Sequence, residues 1–580
     1  MMANDELDVL VVGGGPAGST LAAILLKHRP ETRVRILERE RFPRFHVGET
    51  LVSEINLVLE EMGAYDVVNE AGFVRKYGAT FRWGTGPEPW HLLFATMDEV
   101  RTNEGAVQTA YTWHVDRARY DQLLLDVAVR AGAEMEIDGC VGLVEEGGRV
   151  VGVRCASGKE HRARFLVDAT GQAGLAGSVC QRVMDPHLRN IAYWGYFRGA
   201  RFVDELNGPA DASRAFIVAH PAGWSWYFPI GPDLVSVGVV TRLGTPGAAG
   251  AAPPEQRYRE AIGGCPELSE LLASAELVPY SAGAPLVHAI RDFSYVSENL
   301  WVPGLVRVGD AAGFVDPILS VGCFLAQSGG RHLAYSLRTL LEGGGGGGGL
   351  EEATVLDAYS DHTRDTLLAF RELTWFFYKF NARKDEWWAQ ARALVDGKGL
   401  PARATDHQAF VSFASGFAAR RAVHREPNGV FGEPFFADAF RQLVEGGGAT
   451  EMGALPPVRR LRRTDRPALL GPLVLAASAV PLDGQGRVIP ALRVEVRTPG
   501  HHGGDALIRR LYVPPTMAPL FDWLDGRHDV VMLAERLERT LHLPESERPG
   551  LVRYVRSVVA VKLGFGVLSL LRQIANLARI

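Results

Sequence analysis

The sequence predicts an α/β protein that begins with a βαβ unit, and three observations support this prediction. The apolar run from Leu7 to Val12 is typical of a buried strand, and the turn Gly13-Gly14-Gly15-Pro16-Ala17-Gly18 follows it directly. The stretch from Ser19 to Lys27 then has the composition of a helix. A second apolar run from Val34 to Leu37 ends at the acidic residue Glu38. Strand, glycine turn, helix, strand and acid in this order are typical of a βαβ unit.

The glycine turn has the spacing of a dinucleotide-binding site. Gly13 permits the sharp turn, Gly15 leaves room for a pyrophosphate, and Gly18 lets the helix pack on the strand. The helix N-terminus around Ala17 adds partial positive charge. Glu38 follows Gly18 by 38 − 18 = 20 residues, where a carboxylate can accept hydrogen bonds from ribose hydroxyls. We therefore predict that these five residues bind the ADP part of a dinucleotide.

Composition and charge exclude several other classes of protein. The chain has 580 residues, of which 47% are hydrophobic and 22% charged, and this is ordinary globular usage. Its net charge of 62 − 67 = −5 argues against binding to nucleic acid. The five cysteines form no Cys-x-x-Cys pair, so neither a disulfide framework nor a metal site is predicted. Without a signal-peptide pattern or an uncharged apolar run of about 18 residues, we expect a cytoplasmic protein with no stable membrane insertion.

The chain divides into a core, a glycine linker and two C-terminal extensions. Seven consecutive glycines from Gly343 to Gly349 predict a flexible link. An aromatic-rich helical stretch follows it, and the last part of the chain combines short strands with a final apolar helix. The predicted division is a core over 1–342 with a substrate-side sheet at about 75–120 and 190–290, a linker over 343–350, a helical extension over 351–454 and a C-terminal α+β region over 455–580.

Two segments after the βαβ unit favour FAD over NAD as the dinucleotide. Asp168-Ala169-Thr170-Gly171 closes one predicted strand, and Gly309-Asp310-Ala311-Ala312-Gly313 closes another. Asp310 at a strand end, before small residues, suits the ribityl and pyrophosphate part of a flavin. Together with the glycine turn, this segment resembles the flavoprotein monooxygenase superfamily. The resemblance implies a Rossmann-like FAD-binding domain with a mixed-sheet substrate region, and it places Arg117 near the flavin.

Three further segments resemble flavin-dependent halogenases of the phenol and pyrrole type. Trp224-Ser225-Trp226-Tyr227-Phe228-Pro229 is similar to their Trp-x-Trp-x-Ile-Pro signature, with phenylalanine at the isoleucine position. Phe314, Pro317, Ser320 and Gly322 have the spacing of their second signature. The segment from Pro43 to Thr50, which contains Arg44, resembles their Pro-Arg-x-x-Val-Gly-Glu-Ser segment. The resemblance covers most of residues 8 to 390 and leaves the last 120 or so residues without a usable motif.

This resemblance implies a reaction of reduced FAD with dioxygen and halide in natural-product biosynthesis. A flavin C4a-hydroperoxide would oxidise chloride or bromide, held by the amides of Val321 and Gly322, and hypochlorous acid would then reach Lys76. The lysine would either polarise hypochlorous acid as an ammonium or form a chloramine as an amine, and the sequence leaves both possibilities open. Chlorination of an electron-rich aromatic compound is the expected outcome.

One departure bears on the substrate. Halogenases of free tryptophan have a glutamate immediately before the serine of the second signature, whereas this chain has Leu319. The resemblance therefore favours a phenol or pyrrole, either free or tethered to a carrier protein. Because only one dinucleotide fingerprint is present, a separate NAD(P)H-dependent flavin reductase is the expected partner. His46 and Asp292 are further polar candidates near the flavin.

Three alternatives remain open from the sequence. A flavin hydroxylase would consume NAD(P)H itself, and a reductase of isoprenoid chains would also explain Phe228, because such reductases have an aromatic-x-Trp-x-Phe-Pro segment. A non-catalytic flavoprotein scaffold is the third. For residues 455–580 we expect burial against the core beside Lys76, including the apolar stretch from Leu551 to Ile580.

Overall fold

The structure is a computed structural model. The residues that it describes are 7–86, 88–97, 110–175, 180–209, 213–221, 223–243, 252–343, 350–379, 385–386, 388, 405–414, 473–482, 486–499, 505–513, 518–524 and 527–540.

Strands and helices alternate in the first part of the described chain and segregate later. The strands are β1 (Leu7–Val12), β2 (Val34–Glu38), β3 (Val74–Arg82), β4 (Trp90–Leu93), β5 (Thr112–His114), β6 (Glu134–Ile137), β7 (Cys140–Glu146), β8 (Arg149–Cys155), β9 (Glu160–Asp168), β10 (Arg182–Met184), β11 (Asn190–Arg198), β12 (Ser213–His220), β13 (Gly223–Gly231), β14 (Leu234–Arg242), β15 (Glu276–Val278), β16 (Val287–Arg291), β17 (Tyr295–Ser297), β18 (Trp301–Val302), β19 (Leu305–Arg307), β20 (Gly313–Phe314), β21 (Leu473–Leu482), β22 (Arg487–Pro499) and β23 (Asp505–Val513). The α-helices are α1 (Pro16–His28), α2 (Ile55–Met62), α3 (Tyr65–Asn69), α4 (Arg117–Arg130), α5 (Asp204–Asn207), α6 (Pro254–Gly263), α7 (Pro266–Leu271), α8 (Gly322–Glu342), α9 (Glu352–Lys379), α10 (Asp406–Ala414), α11 (Ala518–Asp522) and α12 (Val530–Thr540). Short 3-10 turns span Phe94–Met97, Gly171–Ala173, Gly309–Ala311 and Pro317–Leu319.

The first sheet confirms the predicted α/β fold. Its strands lie in the order β18-β19-β9-β1-β2-β6, and β1 is parallel to both β2 and β9. All residues of β1 except Asp8 are apolar, because a central parallel strand is covered on both faces. Val12 pairs with Leu37 on one side and with Asp168 on the other. The ends of three strands therefore meet at the glycine turn, where ligands bind in folds of this kind.

The second sheet combines strands from two distant parts of the chain. Its order is β15-β11-β14-β13-β12-β3-β4, with β16 also on β11 and β5 also on β3. Most pairs are antiparallel, but β12 and β3 run parallel. One face of this sheet carries a large aromatic core that includes Trp83, Trp90, Trp224 and Trp226. The segments at about 75–120 and 190–290 thus form one structural unit.

Helices α8 and α9 join the two sheets. Gly330 of α8 permits close contact with α1, because a Cβ at this position would lie 2.6 Å from the carbonyl oxygen of Ala17. The aromatic end of α9 packs over the second sheet, where Phe377 and Trp375 are buried. Helix α9 runs from Glu352 to Lys379, within the helical extension predicted over 351–454. Of the rest of that extension, the structure describes residues 385–386, 388 and 405–414.

The described part of the C-terminal region contacts the dinucleotide half of the core. Strands β21, β22 and β23 form an antiparallel sheet that packs on α8 and α9. Ala479 and Val488 are buried in the same core as β1 and α1, and the amide of Val488 donates to Thr339 Oγ1 over 2.9 Å. This position differs from the expected one beside Lys76. The stretch from Leu551 to Ile580 lies outside the described residues, as do residues 344–349 of the glycine link.

Within the described ranges, no helix is both long and apolar enough to cross a lipid bilayer. The five cysteines carry free thiols. No group of three or more potential histidine, cysteine or carboxylate ligands comes together for a metal among the residues that could be searched.

Candidate active site

The glycine turn leaves its backbone open for a phosphate group. Gly13 has φ +110°, and a Cβ there would lie 2.3 Å from the carbonyl oxygen of Ala169, so only glycine fits. A Cβ at Gly15 would contact only the Arg44 guanidinium, at 3.3 Å. Glu38 accepts a hydrogen bond from the amide of Gly14 over 2.9 Å, which holds the carboxylate at the turn. Glycines, helix N-terminus and acid therefore have the arrangement that an ADP group requires.

Asp310 and Arg117 lie on the same side of the molecule as this turn. Gly309, the residue before Asp310, approaches α1 closely, since a Cβ there would be 2.9 Å from that of Ala17. Desolvation raises the pKa of Asp310 to about 6, and the charge of Arg117 opposes this shift. Arg117 is itself fixed by two hydrogen bonds to the buried Asp121, of 2.8 and 3.0 Å, and it donates to the carbonyl of Val47. Asp121 thus orients the arginine that the sequence predicts near the flavin.

The segment from Pro43 to Thr50 borders the same region. The Arg44 guanidinium lies 3.6 Å from Asp121 and over the ring of Phe42. His46 is exposed, and its Nδ1 lies 2.7 Å from the carbonyl oxygen of Val47. Asp292, in contrast, pairs with surface arginines, including Arg189. The structure therefore gives Asp292 a surface ion pair.

The second signature forms a tight turn that opens α8. Asp316 caps the short turn Pro317–Leu319 by accepting from the amide of Ile318 over 3.0 Å. Ser320 adopts φ +59° and reverses the chain. Val321 is the N-cap of α8 and Gly322 its first residue, so their amides precede the first hydrogen-bonded helical turn. A Cβ at Gly322 would lie 3.1 Å from the Phe314 ring, which explains the glycine by packing within the signature.

The tryptophan signature lies inside the aromatic core of the second sheet. Trp224 and Trp226 are two residues apart on β13, so both rings lie on one face, with centroids 6.0 Å apart. The next ring on this face belongs to Phe228, stacked on Trp226 at 6.0 Å, and Pro229 follows in the same strand. Gly238 on the neighbouring strand makes room for the Trp226 ring, because a Cβ there would lie 2.1 Å from it.

A hydrogen-bond chain connects the two signatures. The Trp224 indole donates to the Tyr378 hydroxyl, and that hydroxyl donates to Asp316 Oδ2 over 3.1 Å. Burial raises the pKa of Asp316 to about 7, although three hydrogen bonds oppose the shift. Tyr378 belongs to α9, so the helical extension is part of the site. Neither Tyr378 nor Asp316 is among the site residues predicted from the sequence.

Lys76 is a buried amine on β3. It is 2% exposed, its Nζ donates to the carbonyl oxygen of Leu51 over 2.7 Å, and it lies 5.6 Å from the centroid of the Phe94 ring. Burial lowers the pKa of Lys76 from 10.5 to about 7. A neutral amine is therefore well populated at neutral pH, and this is the form that can act as a nucleophile.

His114 is not among the site residues predicted from the sequence, and the structure brings it next to Lys76. His114 lies on β5, and Thr112 of the same strand pairs directly with Lys76. Burial and the charge of Lys76 together hold the pKa of His114 well below 6.5. Its imidazole also stacks on Phe228 with the centroids 6.0 Å apart. His114 stands three residues before Arg117 in sequence, but no local pattern shows that β5 pairs with β3.

Comparison with known proteins identifies the family of the chain. The sequence profile of the family described as tryptophan halogenase matches residues 8–102 and 98–431. The chain belongs to this halogenase family. The prediction from the three signatures is thereby confirmed: the protein is a flavin-dependent halogenase of natural-product biosynthesis, and its cofactor is FAD.

Individual relatives cover about two thirds of this halogenase. A tryptophan 2-halogenase of Chondromyces crocatus is 30% identical over 67% of this chain and 70% of its own. A 1H-pyrrole-2-carbonyl-[peptidyl-carrier protein] chlorinase of Pseudomonas fluorescens is 32% identical over 57% of this chain and 75% of its own. The myxobacterial chondrochloren halogenase CndH superimposes with a TM-score of 0.59 at 30% identity, covering 76% of this chain and 97% of that chain.

The likeness in fold extends further than the likeness in sequence. The flavin-dependent halogenase CmlS covers 96% of this chain and 96% of its own with a TM-score of 0.64, at 22% identity. The likeness to CmlS in fold thus extends over a larger share of this chain than the likeness to CndH.

Proposed function

We propose that this halogenase chlorinates a phenol or pyrrole by transferring chlorine from hypochlorous acid to the buried amine of Lys76. The observation that carries the proposal is the environment of this lysine, which is 2% exposed, is hydrogen-bonded to a neutral carbonyl and has a pKa of about 7. Reduced FAD, once it has reacted with dioxygen, would supply the oxidising oxygen atom that converts chloride to hypochlorous acid.

The halide would bind at the turn that opens α8. The amides of Val321 and Gly322 lie at the positive end of a helix of 21 residues, and such amides hold an anion without neutralising it. Asp316 holds the preceding turn through Ile318, and its raised pKa keeps a large part of this carboxyl uncharged near neutrality. A neutral carboxyl group lowers the electrostatic repulsion of a nearby halide.

Between the two forms of Lys76, the structure favours the amine. Desolvation is the cause of its lowered pKa, and its hydrogen-bond acceptor is a neutral carbonyl oxygen. The amine attacks the chlorine of hypochlorous acid, an N–Cl bond forms, the Cl–O bond breaks, and water leaves with a proton from the nitrogen. The resulting chloramine then transfers chlorine to a ring carbon, and the ring loses a proton.

Leu319 and a relative with a tethered substrate support the choice of substrate. Leu319 is buried in the aromatic core and offers no carboxylate at the position where halogenases of free tryptophan have one. One relative is named as a chlorinase of a pyrrole bound to a carrier protein. For this halogenase we propose an electron-rich phenol or pyrrole, free or carrier-tethered, and a separate NAD(P)H-dependent flavin reductase as partner.

The test is a reconstituted reaction that contains the purified halogenase, a flavin reductase, NADH, FAD, oxygen and chloride. Resorcinol and pyrrole-2-carboxylate serve as free probes, and mass spectrometry detects the chlorinated products. We expect Lys76→Met to abolish product while it retains FAD. Lys159→Met is the matched control, because Lys159 is an exposed lysine that pairs with Glu136.

Three results would contradict the proposal. The first is chlorination by FAD-loaded Lys76→Met at the rate of the unchanged protein. The second is a product that contains oxygen in place of chlorine. The third is rapid oxidation of NADPH by the purified chain alone in the presence of a substrate, which would favour the hydroxylase alternative.

A further inference from the structure

A second titratable side chain lies beside Lys76 and has no role in the steps above. His114 is 0% exposed, and neither of its ring nitrogens has a hydrogen-bond partner among the described residues. Burying an imidazole without partners costs free energy, so a structure that keeps it there normally uses it or hydrates it. This cost indicates that a ligand from outside the chain supplies a hydrogen-bond partner for the imidazole.

Strand pairing places His114 and Lys76 on the same face of the sheet. Lys76 of β3 is directly opposite Thr112 of β5, and Val74 is opposite His114. Residues that are opposite each other, or two apart on one strand, project to the same side. The effect of the Lys76 charge on the pKa of His114 agrees with this proximity.

Further unpartnered polar atoms surround the pair. The hydroxyl oxygens of Thr112, Thr50 and Ser213 are buried and lack hydrogen-bond partners among the described residues. Ser213 pairs with Lys76 from the other side of β3, and Thr50 forms a β-bridge with His114. Several polar side chains with unused hydrogen-bonding capacity thus converge on one amine and one imidazole. This is the arrangement expected around a small polar or aromatic ligand.

Phe228 fixes the plane of the imidazole. Its ring lies 6.0 Å from His114 with an angle of 25° between the planes, and it also stacks on Trp226. This is the signature position at which the chain has phenylalanine in place of isoleucine. An aromatic ring here can hold an imidazole by stacking and leaves both ring nitrogens free for hydrogen bonds or proton transfer.

We propose that His114 is the base that removes the proton from the substrate ring after chlorine has been transferred from Lys76. This inference rests on the proposed function. As the ring carbon takes chlorine, the N–Cl bond breaks, the lysine nitrogen keeps the electron pair and takes a proton from water, and the ring becomes a cation that carries both chlorine and hydrogen at one carbon. His114 accepts this hydrogen as a proton, the C–H electron pair restores the aromatic ring, and the proton then passes to the hydroxide left from that water. The sum is aromatic C–H plus lysine chloramine giving aromatic C–Cl plus lysine amine.

The neutral charge state of His114 beside Lys76 is compatible with its role as the base. A protonated ring cation is a strong acid, so even an imidazole of low basicity can take its proton. His114 is neutral at neutral pH because burial and Lys76 both disfavour its charged form. Leu319, which precedes Ser320 in the halide turn, is apolar and cannot perform this step. General-base catalysis of this kind contributes about 100-fold or more to a rate.

The test compares His114→Gln with the unchanged protein, with His220→Gln as the matched control. His220 lies on β12, is half-buried and contacts Ser225, which projects to the opposite face from the tryptophan rings. Resorcinol and its ring-deuterated form are the probes, with pyrrole-2-carboxylate as the second probe. Two quantities are measured: the rate of chlorinated product, and the fraction of Lys76 that carries chlorine, by mass spectrometry of peptides.

We expect His114→Gln to lose about 100-fold in product rate and to retain FAD. Chlorine should also accumulate on Lys76, because transfer of chlorine to the ring reverses when the ring proton is not removed. Ring deuteration should slow the variant more than the unchanged protein, because loss of the ring proton becomes rate-limiting. A variant of normal rate, or a slow variant without chlorine on Lys76 and without an isotope effect, would overturn the role of His114. If the unchanged protein forms neither chlorinated Lys76 nor product, the proposed function itself fails.

Discussion

Replacing Lys76 by methionine should stabilise the protein, even though it removes the amine on which we expect catalysis to depend. A lysine in the unfolded chain has a pKa of about 10.5, whereas burial lowers the pKa of Lys76 to about 7 in the folded protein. Between these two values the unfolded state binds a proton that the folded state does not. The free energy of unfolding of the unchanged protein therefore rises with pH through this range.

The size of the effect follows from the shift. Each unit of pKa difference corresponds to about 1.4 kcal/mol, so below pH 7 the buried lysine costs the folded state about 5 kcal/mol. Methionine has nearly the same length and no charge, but it leaves the carbonyl of Leu51 without its donor, which costs about 1–3 kcal/mol. At pH 6 we therefore expect Lys76→Met to be more stable than the unchanged protein by about 3 kcal/mol.

Urea unfolding at pH 6 and pH 9, followed by tryptophan fluorescence, measures this difference. The advantage of Lys76→Met should fall by about 2.5 kcal/mol between the two pH values, because the amine in the folded protein is already neutral at pH 9. Lys159→Met, at an exposed lysine, should show no comparable dependence on pH. An advantage that is absent at pH 6, or that grows towards pH 9, would refute the inference that Lys76 is a desolvated amine without charge compensation.

Three further changes test other parts of the site. Gly322→Ala should lower the chlorination rate and raise the chloride concentration needed for half-maximal rate, with FAD content unchanged, because the new Cβ would lie 3.1 Å from the Phe314 ring; a chloride saturation curve measures this. Tyr378→Phe leaves the buried Trp224 indole without its acceptor and should reduce the free energy of unfolding by about 1–3 kcal/mol in a urea titration. A chain that ends at residue 454 loses the sheet that buries Ala479 and Val488 on α8 and α9, and it should melt at a clearly lower temperature. An unchanged melting temperature and FAD content in the shortened chain would contradict this packing.

The sequence predicts the dinucleotide half of the molecule well because its signals are local. The apolar run of β1, the glycine turn and Glu38 lie within 40 residues, and each has one structural solution at that spacing. The pairing of β5 with β3, in contrast, leaves no local signal in the sequence. It depends on contacts between residues 74–76 and 112–114, and neither strand carries a pattern that specifies its neighbour. His114 could therefore not be connected with Lys76 from the sequence.

The packing of Phe228 weakens the alternative that the protein is a reductase of isoprenoid chains. From the sequence, phenylalanine at this position favours a reductase of isoprenoid chains as much as a halogenase. In the structure, the Phe228 ring stacks with both Trp226 and His114, with centroid distances of 6.0 Å in each pair. The substitution is therefore accounted for by a neighbour within the halogenase site. A motif position that departs from its family is best interpreted after the side chain that it contacts is known.

The position of the helical extension changes where substrate selection is expected. From the sequence, residues 455–580 are expected beside Lys76, but apolar content indicates only that a segment will be buried and not which surface it will cover. In the structure, helix α10 of the extension contacts the short turn Phe94–Met97, and Phe410 packs against Trp90 and Phe377. Phe94 in that turn also lies next to Lys76. Among the described residues of the extension, α10 thus packs next to the lysine side of the site, while β21 and β22 pack on α8 and α9 on the dinucleotide side. Substitutions that alter which aromatic compounds enter are accordingly expected in α10 and the end of α9, and those in β21 to β23 should act on stability.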